Sequence, residues 1–137
     1  MVRHPGAVAV VALTRDGAVV LVRQRREAVR ETLLEVPAGI LDVAGEAPQD
    51  AARRELREET GYEADVWEPL GAILSSPGFS DERVELFAAR GAERVTEPEE
   101  GIEVVVMAHG EALRAVRDGT IADAKSAGAL LLSAASA

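Results

Sequence analysis

Residues 46 to 62 read Glu46-Ala-Pro-Gln-Asp-Ala-Ala-Arg-Arg-Glu-Leu-Arg-Glu-Glu-Thr-Gly61-Tyr62. Pro48 near the start and Gly61 at the end bracket a helix of about three to four turns, because Pro is at home in the first turn and Gly closes the last. On that helix Glu55, Glu58 and Glu59 stand at i, i+3 and i+4, so three carboxylates share one face. Like charges at that spacing cost roughly 0.2–0.5 kcal/mol per pair, and the helix gains nothing from them. A hard divalent cation turns the repulsion into binding, since Mg²⁺ and Mn²⁺ take carboxylate oxygens. The competing reading is a solvated surface helix rich in Glu and Arg, and Arg53 and Arg57, on the other side of the helix, fit it equally well.

The wider spacing separates the two readings. Glu46, Arg54-Glu55, Glu58-Glu59 and Gly61 stand at fixed intervals behind a Pro37-Ala38-Gly39 turn. This pattern resembles the Nudix box, closely so from Glu46 to Tyr62. It departs at one point: Ile40 occupies the place of the first box glycine and Gly39 lies one residue further out, so the loop from Ile40 to Gly45 is one residue longer. A Pro-Ala-Gly turn ahead of such a box is similar to the ADP-ribose pyrophosphatase branch, where a loop of this kind is tolerated.

The resemblance implies a single Nudix domain over residues 1–137, an α/β/α sandwich with a mixed β-sheet. It implies hydrolysis of a nucleoside diphosphate linked to another moiety, ADP-ribose to AMP and ribose 5-phosphate first, with Mg²⁺ or Mn²⁺ as cofactor. Another nucleotide sugar, a dinucleotide or a nucleoside triphosphate is the alternative within the enzyme class. A domain that senses ADP-ribose without cleaving it is the alternative outside that class, but such sensors tend to have a damaged box, and Glu55, Glu58 and Glu59 are all present here.

Carried over residue by residue, the metal ligands are the backbone carbonyl of Ala38 with Glu55 and Glu59, and Glu58 serves a further ion or acts through water. Glu46 lies near the metals, and Arg54 holds the loop or pairs with a box carboxylate. Gly39 and Gly45 permit the turns that bring Ala38 to the carboxylates, and Gly61 completes the motif. Glu58 and Glu59 take part in catalysis, and the general base comes from the acidic loop Glu97 to Gly101, where Glu100 aligns best; a plain solvated loop explains Glu93, Glu97 and Glu99 equally well. Ser76-Pro77-Gly78-Phe79-Ser80-Asp81-Glu82 looks like the Ser-Pro-Gly loop of the same branch. It makes Ser76, Gly78, Phe79 and Glu82 candidates for substrate contact, against the bland reading of a Pro-Gly turn. Arg26 matches a basic residue that contacts the distal phosphate, a task suited to the guanidinium fork.

Composition narrows the class. A chain of 137 residues with 47% hydrophobic residues has the length and composition of one folded domain. A net charge of −9 argues against a nucleic-acid-binding surface. It does not argue against a small anionic substrate when metal ions stand between the two sets of charge. No apolar run reaches the length of a membrane span. The Met1 to Gly6 stretch lacks a signal-peptide layout, and the absence of cysteine fits the cytoplasm. Family habit adds a homodimer. In many members of the branch an N-terminal strand region swaps between subunits and helps hold adenine, whereas this chain starts almost at the first core strand.

Along the chain, Ala7–Leu13 and Ala18–Val22 read as a hairpin around the Arg15-Asp16-Gly17 turn. Thr32–Val36 is a short strand before the Pro-Ala-Gly turn. Val66–Leu74 is a strand with a bulge or an edge at Pro69 and Gly71, and Arg83–Ala89 is another. Gly91–Gly101 reads as a loop, Ile102–Met107 as a strand, Glu111–Arg117 as a helix ending at Gly119, and Ala124–Ala135 as a final helix. Trp67 and Phe87 belong to the core. His4, at the start, and His109, after a strand, have no metal-spaced partner and read as ordinary surface or turn residues.

Overall fold

Val8, Val10 and Ala12 alternate with Ala7, Ala9, Val11 and Leu13 along the first strand, and both sets are buried. A strand apolar on both faces needs a layer on each side. The computed structural model, which describes residues 2–135, supplies them. Val8, Val10 and Ala12 pack with Ala51, Ala52 and Leu56 of one helix. Ala9, Val11 and Leu13 pack with Ala112, Ala129 and Leu130 of two others. The result is the α/β/α arrangement with a mixed sheet.

The strands are β1 (Ala7–Thr14), β2 (Ala18–Arg26), β3 (Glu31–Glu35), β4 (Ala38–Ile40), β5 (Tyr62–Glu63), β6 (Val66–Leu74), β7 (Arg83–Arg94) and β8 (Glu103–Ala108). The helices are α1 (Pro48–Thr60), α2 (His109–Arg117) and α3 (Ala124–Ala135). β1 runs parallel to β7, and the other pairings are antiparallel. The hairpin partners stay together only near their turn, with Ala12 opposite Val20 and Leu13 opposite Val19. Beyond that point β2 pairs with β3, while the far end of β1 pairs with β4. The sheet therefore splays where β3 passes into β4, and α1 lies close to that opening.

Two sequence expectations change and one holds. Ala38 and Gly39, expected in a turn, form the short strand β4, because Ala38 sits opposite Ala9 and Gly39 opposite Val8. Gly91 to Arg94, expected in a loop, continue β7, where Glu93 and Arg94 pair with the short strand β5. A polar composition hid that extension: Glu93 and Arg94 are exposed, while Ala92 is buried in the core. The bulge expected near Pro69 is present as a register shift between Pro69 and Gly71. No described helix is long and apolar enough to cross a membrane.

Gly61 fixes the end of α1. Its φ of 78° is left-handed, and its N–H donates to Arg57 O at 2.8 Å. Its carbonyl accepts from Val95 N (2.8 Å) and Thr96 N (3.1 Å). A Cβ here would strike the carbonyl of Thr96, besides straining the backbone. Gly61→Ala is expected to cost about 2–3 kcal/mol in urea unfolding. A loss below about 0.5 kcal/mol, the range of a surface substitution, would show that the loop from Val95 yields freely.

Candidate active site

A cavity of about 510 Å³ opens at the splay between β3 and β4. One wall is Ala38, Gly39, Glu55 and Glu59. Leu56 is buried in the core beneath α1, which turns Glu55 and Glu59, one helical turn apart, toward β4. Glu59 is 9% exposed, and its Oε1 accepts the Ala38 N–H at 3.3 Å. No cation is paired with it among the described residues. Burial pushes its carboxyl up to about 8; the Ala38 N–H and the distant Arg26 pull it down, while the charges of Glu55 and Glu99 push it further up. Glu55 is raised as well, first by burial, against the charge and hydrogen bond of Arg54. Gly39 allows the approach, because a Cβ there would run into the Glu55 carboxyl group.

Arg54 holds the box together from the side. Its Nε and Nη2 donate to Glu46 Oε2 and Oε1, both at 3.0 Å, in a bidentate fork. Its Nη1 donates to Glu55 Oε1 at 2.9 Å and Glu58 Oε2 at 3.3 Å. The hydrogen bond from Arg54 sets the Glu46 carboxyl below its ordinary range. Glu46 is thereby occupied in structure, as the sequence reading of Arg54 implies.

The donor set fits a hard divalent cation of the Mg²⁺ type. Among the described residues no three Asp, Glu, His or Cys side chains gather closely enough to cage a metal ion. Mg²⁺ is commonly held without such a cage, through one or two carboxylates plus substrate phosphates. Glu59, buried and without a paired cation among the described residues, and Glu55, partly buried and held on one side by Arg54, offer that number of oxygens beside a backbone strand.

Two cations, Arg26 and Lys125, also line the cavity, each paired with an acid. Glu35, 1% exposed at the end of β3, accepts Arg26 Nε (2.8 Å) and Nη2 (2.9 Å) and Lys125 Nζ (2.7 Å). Lys125 also donates to Asp123 Oδ2 at 2.9 Å, and the Ser126 hydroxyl donates to the same oxygen at 2.6 Å. Burial raises the Glu35 carboxyl, but the hydrogen bonds from Arg26 and Lys125 and the charge of Lys125 outweigh it and leave it below its ordinary value. Among the described residues no hydrogen bond uses Arg26 Nη1 or the third Lys125 proton, so both cavity-lining cations keep a donor free there.

The structure does not gather every residue picked out in the sequence. Glu82 and Arg26 line the cavity with Ala38, Glu55 and Glu59. Glu58, with 53% of its side chain exposed, faces a neighbouring groove with Arg57 and Glu99. Ser76, Gly78 and Phe79 do not line the cavity; Ser76 O accepts from Phe79 N and Ser80 N in a tight turn, and Phe79 is 59% exposed. Ser75 takes the lining place expected of Ser76. Glu100 is exposed in the loop after β7 and lies outside the cavity, while the neighbouring Glu99 is close enough for its charge to act on Glu59. His4, read from sequence as ordinary, lines the cavity. His109 opens α2 with its Nε2 3.0 Å from Ser133 Oγ. Trp67 and Phe87 meet edge-on with ring centroids 6.4 Å apart.

Lys125 and Glu35 were absent from the sequence candidates. Lys125 is the sole lysine among fifteen basic residues, and Glu35 is an acid closing an otherwise apolar strand end. Both are signals only once a pocket is known to need cations.

A mixed sheet between helices, with two box carboxylates turned into a cavity also lined by Arg26 and Lys125, is the architecture of a pyrophosphohydrolase. The family model described as NUDIX domain matches residues 3–126, and the chain belongs to the Nudix family. It is 41% identical over 135 residues to the ADP-ribose pyrophosphatase of Bacillus subtilis (strain 168), a match covering 95% of this chain and 72% of that protein. It is 37% identical over 136 residues to the GDP-mannose pyrophosphatase of Cronobacter sakazakii (strain ATCC BAA-894), covering 90% and 70%. The fold superposes on the crystal structure of an ADP compounds hydrolase with a TM-score of 0.81 at 24% identity, over 93% of this chain and 69% of the other.

Proposed function

We propose that this Nudix enzyme hydrolyses the diphosphate of a nucleoside diphosphate linked to a sugar, with ADP-ribose, cleaved to AMP and ribose 5-phosphate, as the first substrate. The observation that carries the reading is one cavity lined both by Glu55 and Glu59 and by Arg26 and Lys125. A diphosphate needs both, a cation site for its leaving charge and fixed donors for its outer oxygens. Glu55, Glu59 and the carbonyl of Ala38 would hold Mg²⁺ or Mn²⁺, which when bound would supply an activated water and charge for the phosphoryl oxygens. Arg26 and Lys125 orient the diphosphate through the donors left free by Glu35. Glu100 is the proposed general base, and from its exposed place it acts once the loop after β7 folds over the substrate.

The similarity to both an ADP-ribose and a GDP-mannose pyrophosphatase supports a second reading, a different nucleotide sugar. A substrate panel with Mg²⁺ or Mn²⁺, resolved by chromatography, decides between them. AMP release from ADP-ribose, lost on chelation, is the expected result, and faster release of GMP from GDP-mannose would replace ADP-ribose as the substrate. In the same assay Glu100→Gln is expected to lower kcat by about 10²–10⁴ with little change in folding. Near-normal turnover would move the base to Glu99, the acid that already acts on Glu59.

A further inference from the structure

Residues 2–6 lie across the loop between β6 and β7. Val2 N donates to Phe79 O at 2.5 Å, Asp81 N donates to Val2 O at 3.1 Å, and His4 N donates to Asp81 Oδ1 at 2.7 Å. The His4 ring is set by its neighbours: Gly6 N donates to Nδ1 at 3.0 Å, which puts the ring proton on Nε2. That nitrogen lies 3.3 Å from Glu82 Oε2. The other Glu82 oxygen accepts the Ser75 hydroxyl at 2.5 Å. His4, Ser75 and Glu82 all line the cavity that holds Glu55 and Glu59. The His4 and Glu82 side chains are 22% and 27% exposed, enough for a ligand to touch them.

We propose that His4 is a positioning residue which, with Ser75, fixes the Glu82 carboxylate as the acceptor for a pair of neighbouring hydroxyls on the substrate's sugar. An ionised carboxylate only accepts hydrogen bonds, with about two lone-pair positions on each oxygen. Ser75 and His4 occupy one position on each oxygen and leave one on each. Phosphate, itself an acceptor, has nothing to offer this carboxylate and is served by Arg26 and Lys125. Two adjacent hydroxyls are the complementary donor, the same chemistry by which an acidic residue reads ribose hydroxyls in dinucleotide sites. The N-terminal residues thus act at a distance, by holding a loop acid in register with the box.

The inference rests on the sugar-nucleotide reading above, so its test is made by binding rather than turnover. Calorimetry in Mg²⁺ compares the α,β-methylene analogue of ADP-ribose, which resists cleavage, with methylenediphosphonate, which carries no sugar. His4→Asn keeps an acceptor for Gly6 but loses the reach to Glu82, and His4→Gln keeps a donor near the position of Nε2. His4→Asn and Glu82→Gln are expected to weaken the analogue about tenfold, the scale of a hydrogen bond to a charged group, and to leave methylenediphosphonate within about twofold. His4→Gln is expected to recover most of the loss. Parallel weakening of both ligands, no change in either, or a wild type that does not bind the analogue would overturn the inference. So would a drop in Mn²⁺ affinity in Glu82→Gln, which would make Glu82 a metal ligand. Analogue binding that follows this pattern without any cleavage of ADP-ribose would count against the proposed reaction and leave the role of His4 standing.

Discussion

Glu59→Gln is expected to lower kcat by about 10³ or more, the scale of losing a principal charge-stabilising group, while leaving the fold intact. The carboxylate is nearly buried, accepts the Ala38 N–H and has no paired cation among the described residues. Burying it in the ionised form costs stability in the metal-free protein. Its folded pKa of about 8 stands above the ordinary 4.5. A carboxyl raised in this way contributes stability that is fully present below about pH 4.5 and is lost as pH climbs toward 8. The metal-free wild type therefore loses stability across that window, and Glu59→Gln, which cannot ionise, loses less. Mg²⁺ acts in the opposite direction, because an ion that binds only the native state stabilises it by mass action. Thermal unfolding at pH 8 should then show a Tm rise with Mg²⁺ in the wild type and little or none in the variant. A variant that keeps its turnover, or one that responds to Mg²⁺ like the wild type, would remove Glu59 from the metal site.

Much of this was legible in the chain because the informative signals are local. Pro48, the three glutamates and Gly61 define α1 to the residue, since helix ends and i, i+4 spacing depend on neighbours along the sequence. The apolar runs Ala7–Leu13 and Ala18–Val22 around the Arg15-Asp16-Gly17 turn likewise announce a hairpin, and both lie in strands. What stayed hidden depends on pairings between distant segments. Ala38 and Gly39 look like a turn until β1 is seen to release β2 and accept them. Glu93 and Arg94 look like loop residues until Tyr62 and Glu63 come alongside.

The candidate site divides in the same way. Glu55, Glu59 and Arg54 follow from the box spacing, whereas His4 reaches Glu82 across 78 positions and Lys125 reaches Glu35 across 90. Neither contact has a periodicity or a motif to betray it. Of the Ser-Pro-Gly loop residues singled out for substrate contact, Glu82 lines the cavity, whereas Ser76, Gly78 and Phe79 do not. Ser75 and Glu82, at the two ends of the loop, reach inward, while its tip at Gly78 and Phe79 is spent on the turn.

Lys125→Met is expected to act on stability and on substrate binding at once, and a compensating change separates the two effects. In the wild type Glu35 is buried between two cations from different elements, Arg26 at the end of β2 and Lys125 at the start of α3. Removing one partner leaves a buried charge short of compensation, at a cost of about 2–4 kcal/mol, somewhat under a fully broken pair because Arg26 remains. The wild-type carboxyl is held below its ordinary value, so its contribution is present above about pH 4.5 and is lost as pH falls through the folded value. Without Lys125 burial is opposed less, the carboxyl moves up, and the stability gap between variant and wild type narrows as the pH is lowered toward 4. Adding Glu35→Gln to Lys125→Met removes the uncompensated charge and should return most of the stability at neutral pH. The binding defect should persist in the double variant, with KM for the cleaved nucleotide sugar raised about tenfold, the scale of one charge-assisted hydrogen bond. Recovery of KM together with stability would mean that Lys125 only neutralises Glu35. A KM that stays high in the refolded double variant places its free proton on the phosphate.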